Sequence, residues 1–275
     1  MPNRGTVILV SIVAVVSSMY SCTRHPYYAT NKQYKQQAKE LAQQIRQEPA
    51  LISGQQPAPA YWVGTTNFNL RKPNIVVLHH TAQNSCEQTL KTFTLTSTQV
   101  SAHYVICRDG TIHQMLNDYL RAWHGGVGKW GSVTDINSSS IGIELDNNGT
   151  EPFPEVQINS LLVLLDTLKR RHNIPAANFI GHADIAPTRK VDPSILFPWQ
   201  TLAKRGFGLW YDETKDTIPA NFDHLLALKV IGYDLKDSTA AIMAFKRKYF
   251  AMERTPPTFS EQEKRLLYSV MRKAL

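Results

Sequence analysis

Several features that would place a chain in a large protein class are missing here. No apolar run reaches the length of a bilayer span, since the longest, Val7 to Val16, is about ten residues. No run of five or more basic residues occurs, and no aromatic–basic stacking repeat accompanies the net charge of +8. A basic chain suits an anionic partner, but this pattern argues against nucleic acid and leaves a membrane surface or a cell-wall polymer. The signature His-Glu-x-x-His is absent, as is Gly-x-Ser-x-Gly, which weakens two common hydrolase readings. The Gly-rich stretch Trp123 to Gly131 is not a phosphate loop, because Trp130 follows Lys129 where Ser or Thr is required. Apolar residues are not lacking: 43% hydrophobic and 9% aromatic content supports a packed core and excludes global disorder.

The first 22 residues read as an export signal, with Arg4 ahead of the apolar run and small residues after it. Ser17-Ser18-Met19-Tyr20-Ser21-Cys22 resembles the lipobox of bacterial lipoproteins, with Cys22 as the lipid carrier. Met19 and the bulky Tyr20 depart from that pattern, and the alternative is an ordinary secretory peptide cut nearby. Thr23 is not the aspartate that goes with inner-membrane retention. The expectation is a lipid-anchored protein of the bacterial outer membrane, facing the periplasm. Residues 23–60 read as a tether, with an exposed helix over Asn31 to Gln47 and a linker at Gln55 to Ala60. Cys86 and Cys107 either pair, as an exported compartment permits, or stay as buried thiols.

The remainder alternates strands and helices, an α/β pattern. Ile75 to Leu78 is a β-branched apolar run that delivers His79 and His80 at its end. A helix is expected from Ser85 to Thr96. Ala102 to Cys107 and Thr111 to Leu116 form a hairpin about Arg108-Asp109-Gly110. Ile141 to Leu145 is a strand whose one charge is Glu144; burial there would raise its pKa and suit a general base. Val156 to Arg171 carries the i, i+3, i+4, i+7 pattern of an amphipathic helix, and Asn178 to Gly181 is a short strand. Three short helices follow, the second capped by Ser238 and the third by Ser260 with Glu263.

Chemistry concentrates in Ile180 to Pro193. His182 and Asp192 stand ten residues apart with Lys190 between them, and Pro187 and Pro193 disfavour a helix. An imidazole and a carboxylate are ordinary zinc ligands, and a catalytic zinc site needs three protein ligands and an open position. The third comes from the pair His79 and His80, of which a strand can aim only one at the metal. Trp123 and His124, in the Gly/Trp loop, are candidate substrate contacts, the alternative being a loop anchored in the core.

Taken together, Val77 to Ala82, Ser101 to Tyr104, Gly142 to Glu144 and Gly181 to Pro193 resemble the zinc-dependent N-acetylmuramoyl-L-alanine amidases of type 2. That group includes a phage lysozyme and the peptidoglycan recognition proteins. The resemblance implies a mixed β-sheet flanked by helices and one zinc ion per chain on His79, His182 and Asp192. It implies catalytic roles for Glu144 and Lys190, and peptidoglycan or muropeptides as substrate. In the phage and recognition-protein branch the third ligand is a cysteine where Asp192 stands here, and a catalytic tyrosine aligns with Ala102, which leaves its role to Glu144. The expected organisation is a signal peptide at 1–22, a tether at 23–60, a zinc amidase domain at 61–212 and a helical domain at 213–275. The last is loosely similar to peptidoglycan-binding domains. A monomer is expected, and the competing reading is a non-catalytic peptidoglycan-binding lipoprotein.

Overall fold

The structure is a computed structural model that describes residues 26–46, 65–213 and 217–275. The signal segment with Cys22 and the linker at 55–60 lie outside the described residues. One compact unit contains α1 (Tyr28–Arg46), which buries no residue, as its Gln- and Lys-rich composition dictates. The other is Thr66–Leu275.

Five strands make the sheet of that second unit: β1 (Ile75–His80), β2 (Tyr104–Ile106), β3 (Ile112–Gln114), β4 (Ser140–Leu145) and β5 (Phe179–Gly181). Their order is β3-β2-β4-β1-β5. β1 runs parallel to β4 and β5, β2 parallel to β4, and the expected hairpin supplies the antiparallel β2–β3 pair. Helices α2 (Cys86–Thr94), α3 (Ile136–Ser139), α4 (Glu155–His172), α5 (His182–Ile185) and α6 (Trp199–Lys204) lie among the strands and after them. Last come α7 (His224–Ile231), α8 (Ser238–Phe250) and α9 (Glu261–Ala274).

Strand alternation divides the core into two layers. Val76, Leu78, Ile141 and Ile143 pack against Leu161, Leu165 and Leu168 of α4 and Leu202 of α6. Ile75, Val77 and Ile180 face the other way, into a cluster with Leu228, Phe245, Leu267 and Val270 of the C-terminal helices. Those helices therefore share the sheet's own core, and the 212/213 boundary expected from the sequence falls inside one compact unit. The apolar faces of α7–α9 and the odd-numbered face of β1 belong to one buried cluster.

Two local readings differ from expectation. The loop after β5 begins with a helical turn, α5, because Asp184 turns back to accept the Gly181 N–H at 2.8 Å. The α8 cap is Asp237, whose carboxylate accepts the Ala240 N–H, and Ser238 is the first helical residue. Cys86 and Cys107 are bonded, their Cα atoms 5.3 Å apart, tying the start of α2 to the end of β2.

Candidate metal centre

His79 shares a face with Ile75 and Val77 by alternation, and it emerges where β1 clears the core. His80 turns the other way, and its Nδ1 accepts the Ser194 N–H at 3.1 Å. His79 is thus the member of the pair that meets the loop after β5. Its Nδ1 lies 2.9 Å from His182 Nδ1 and 3.1 Å from Asp192 Oδ2. His182 Nδ1 is also 3.1 Å from that oxygen. All three side chains are buried. The Ala183 N–H donates to the Asp192 carbonyl at 2.8 Å, which folds the ten-residue loop back on itself.

The hydrogen-bond chain behind these atoms fixes their protons. Ser140 donates its one hydroxyl proton to the Ile136 carbonyl at 2.6 Å, so its oxygen accepts from His124 Nε2 at 3.1 Å. His124 Nδ1 is then a lone pair and accepts from His79 Nε2–H at 3.1 Å. That leaves a lone pair on His79 Nδ1. His182 Nε2 faces the Gly125 carbonyl at 3.2 Å, which can only accept, so its Nδ1 carries a lone pair too. Burial, followed by the neighbouring His182, pushes the His79 pKa down to about 4, so a charged imidazolium does not replace this arrangement. Burial likewise lowers His124 well below the usual histidine value.

With both imidazoles neutral, three acceptors converge within 3.1 Å of one another and no proton lies between them. That arrangement is repulsive unless a cation sits among them. Two imidazoles and a carboxylate, each imidazole oriented through its other nitrogen, are the donor set of a divalent metal site. Tetrahedral zinc with bonds of about 2.0–2.1 Å would set its ligands about 3.3 Å apart, within a few tenths of an ångström of what is found. Among the described residues a second convergence, Cys86, Cys107 and His113, has both sulfurs tied in the disulfide.

Glu144 lies on β4 directly beside His79 in register, on the same face and one strand spacing, about 4.8 Å, across the sheet. Its Oε2 is buried without a hydrogen-bond partner. Burial pushes the carboxyl up to about 8, the Asp192 charge adds to that, and Lys190 opposes it. Lys190, half-buried, is held by its backbone N–H donating to the Ala186 carbonyl at 3.0 Å.

His124 does not contact the surface as a substrate residue would. It is buried behind His79, and its ring occupies the space above Gly142, where an added Cβ would fall 2.3 Å from His124 Cγ. Only glycine fits there, which gives the Gly142-Ile143-Glu144 motif a packing reason. Trp123 is 54% exposed, its backbone pinned through Ser101. Sequence reasoning missed Ser140, Asn137 and Arg189. Asn137 Oδ1 accepts the N–H groups of His124 and Gly125 at 3.1 and 2.8 Å. Arg189 donates to the Gly125 and Val127 carbonyls and clamps the Gly-rich loop to the loop bearing Asp192. No spacing rule marks the first two, whereas Arg189 stood inside the segment already singled out.

The fold and the site together define the class. A family described as N-acetylmuramoyl-L-alanine amidase matches residues 69–195, and the chain belongs to that family of hydrolases. Among its relatives is N-acetylmuramoyl-L-alanine amidase AmiD of Escherichia coli (strain K12), 35% identical over 207 residues, 64% of this chain and 74% of that protein. Two solved structures share the fold. One is E. coli AmiD in complex with the substrate anhydro-N-acetylmuramic acid-L-Ala-D-γ-Glu-L-Lys, with a TM-score of 0.65, 28% identity, and coverage of 81% of this chain and 97% of that one. The other is AmpDh3 from Pseudomonas aeruginosa with an anhydromuramic pentapeptide, with a TM-score of 0.67, 26% identity, and coverage of 80% and 99%.

Proposed function

We propose that this chain hydrolyses the amide bond between N-acetylmuramic acid and L-alanine in peptidoglycan or its fragments, using one zinc ion held by His79, His182 and Asp192. The convergence of three unprotonated ligand atoms carries this reading, and the muropeptide complexes of its structural relatives support the substrate class. When bound, zinc supplies Lewis acidity, polarising the carbonyl and acidifying water.

The chain's own groups supply the rest. Glu144 takes a proton from the attacking water as the oxygen–carbon bond forms. It returns that proton to the amide nitrogen as the carbon–nitrogen bond breaks and L-alanine leaves with a free amine. Lys190, between the two loop ligands, places its ammonium against the oxyanion. Trp123, next in the chain to His124, offers an exposed ring for sugar or peptide to lie on. Mass spectrometry of products from a defined muropeptide, with and without chelator, tests the activity. Free stem peptide should form and should vanish with chelator; an intact substrate in both arms would refute the reading. Lys190→Ala should keep its zinc yet lose on the order of 10²–10³ in rate, and undiminished turnover would remove Lys190 from the mechanism.

The anchor is proposed on the same footing. We infer that Cys22 carries lipid and holds the enzyme on the outer membrane facing the periplasm, supported by the lipobox-like segment and by a wall polymer as substrate. No helix among the described residues is long and apolar enough to cross a membrane. Cys22→Ala should move the protein from the membrane pellet to the soluble fraction and abolish labelling by a palmitate analogue. Persistent labelling would rule out Cys22.

A further inference from the structure

The matched family segment ends at residue 195, yet the loop that carries His182 and Asp192 is held from beyond it. Asp184, 2% exposed, lies between those two residues in the chain. Its Oδ2 accepts the Gly181 N–H at 2.8 Å and the Lys248 ammonium at 2.7 Å. Its Oδ1 accepts the Tyr233 hydroxyl at 2.6 Å. Lys248 comes from α8 and Tyr233 follows α7. Both are buried, at 7% and 3% exposure, so neither is a surface ion pair of negligible worth. The Lys248 ammonium also sits 4.2 Å over the Trp199 ring, and Tyr233 packs edge-on against Trp130, at the end of the Gly-rich loop.

These contacts form a path to the ligands. Asp184 closes the α5 turn that begins with His182. The next bond in that turn, Ala183 N–H to the Asp192 carbonyl, sets the second ligand relative to the first. The Ile185 carbonyl accepts the Lys129 N–H at 2.8 Å and ties the turn to the loop whose Gly125 carbonyl orients His182. A carboxylate at this depth without its ammonium partner is strongly disfavoured, so the turn moves if Lys248 is lost.

We propose that Lys248 and Tyr233 are positioning residues of the metal centre, and that the C-terminal helices are a structural part of the zinc site beside any part they take in holding the cell wall. This rests on the zinc reading above. The test measures zinc dissociation constants by chelator competition on full-length protein, with melting temperature alongside. A direct outer-shell partner of a metal ligand typically contributes 10–100-fold in affinity; Lys248 acts one bond further out, through Asp184, so Lys248→Met should weaken zinc binding by about tenfold, the low end of that range. Lys248→Arg should restore most of it. Lys246→Met is the control: it breaks a similarly buried pair, Lys246–Glu263 at 2.9 Å, within the same helices and away from the loop. It should lower the melting temperature while leaving zinc affinity within about threefold. Unchanged affinity in folded Lys248→Met, or an equal loss in both Met variants, overturns the proposal. If Lys248→Met does not fold, Tyr233→Phe takes its place, removing one hydroxyl with the ring retained; several-fold weaker zinc binding is expected, and none overturns the proposal. A wild-type chain that bound no zinc would overturn this inference and the reading beneath it together, whereas unaltered variants overturn this inference alone.

Discussion

His182→Ala should lose both its zinc and its amidase activity. The substitution removes one of three protein ligands, and it also takes the 3.2 Å imidazole contact from the Gly125 carbonyl, one of the bonds that tie the Gly-rich loop to the loop bearing Asp192. A site reduced to His79 and Asp192 offers two donors where a catalytic zinc needs three. Activity should fall by more than the factor on the order of 10²–10³ that a single oxyanion donor contributes, because water activation and carbonyl polarisation are lost together. His80→Ala is the matched control. It removes the neighbouring imidazole, which faces Ser194 rather than the centre, and should keep its metal. Metal content by emission spectroscopy beside muropeptide cleavage checks both. Stoichiometric zinc in His182→Ala would show that the ion is held elsewhere.

Much of this centre was legible in the chain because its residues are local or sit at fixed phases of regular elements. The loop from Ile180 to Pro193 holds two ligands and Lys190 in one stretch, and strand alternation at His79 and His80 requires that only one face the loop. Glu144 stood out as the one charge in an apolar strand. Composition also gave α4 and the hairpin, since a 3.6-residue apolar period and a turn dipeptide act within a few residues of where they occur. The rest depends on contacts between distant segments. Ser140 ends a proton chain only because α3 presents the Ile136 carbonyl to it. His124 reads as a loop histidine until Gly142 is seen to make room for its ring. Lys248 reads as one cation among many on an amphipathic helix, and nothing within α8 signals a carboxylate in a loop 64 residues earlier. The C-terminal helices read as a separate bundle because their apolar faces match one another as well as they match the sheet; what pairs with Ile75 and Val77 is not written in either segment alone.

Glu144→Gln should lose activity and gain stability, and the gain should depend on pH. As the general base, Glu144 contributes on the order of 10²–10⁴ in rate, and glutamine cannot accept the proton. The stability effect follows from where that proton sits. The folded carboxyl holds its proton up to about pH 8, chiefly through burial, while an unfolded one sheds it near its ordinary value of 4.5. Between those values the folded state binds more protons than the unfolded state, so stability falls as pH rises through this window and levels off above it. Each pH unit inside the window is worth at most about 1.4 kcal/mol. Glu144 is only partly buried as a residue, which screens part of this, and a net penalty of about 1–3 kcal/mol by pH 8.5 is expected for the metal-free wild type. Glutamine carries no such penalty. Metal-free Glu144→Gln should therefore melt within a degree or two of wild type at pH 5 and several degrees above it at pH 8.5, at about 2–4 °C per kcal/mol for a unit of this size. Added zinc should narrow the gap, because a divalent cation beside His79 favours the ionised carboxylate. Thermal melts at the two pH values, with and without zinc, decide the matter. A gain equal at both, or a loss at pH 8.5, would mean that Glu144 is already ionised in the folded protein and that its burial is not what prepares it to take a proton.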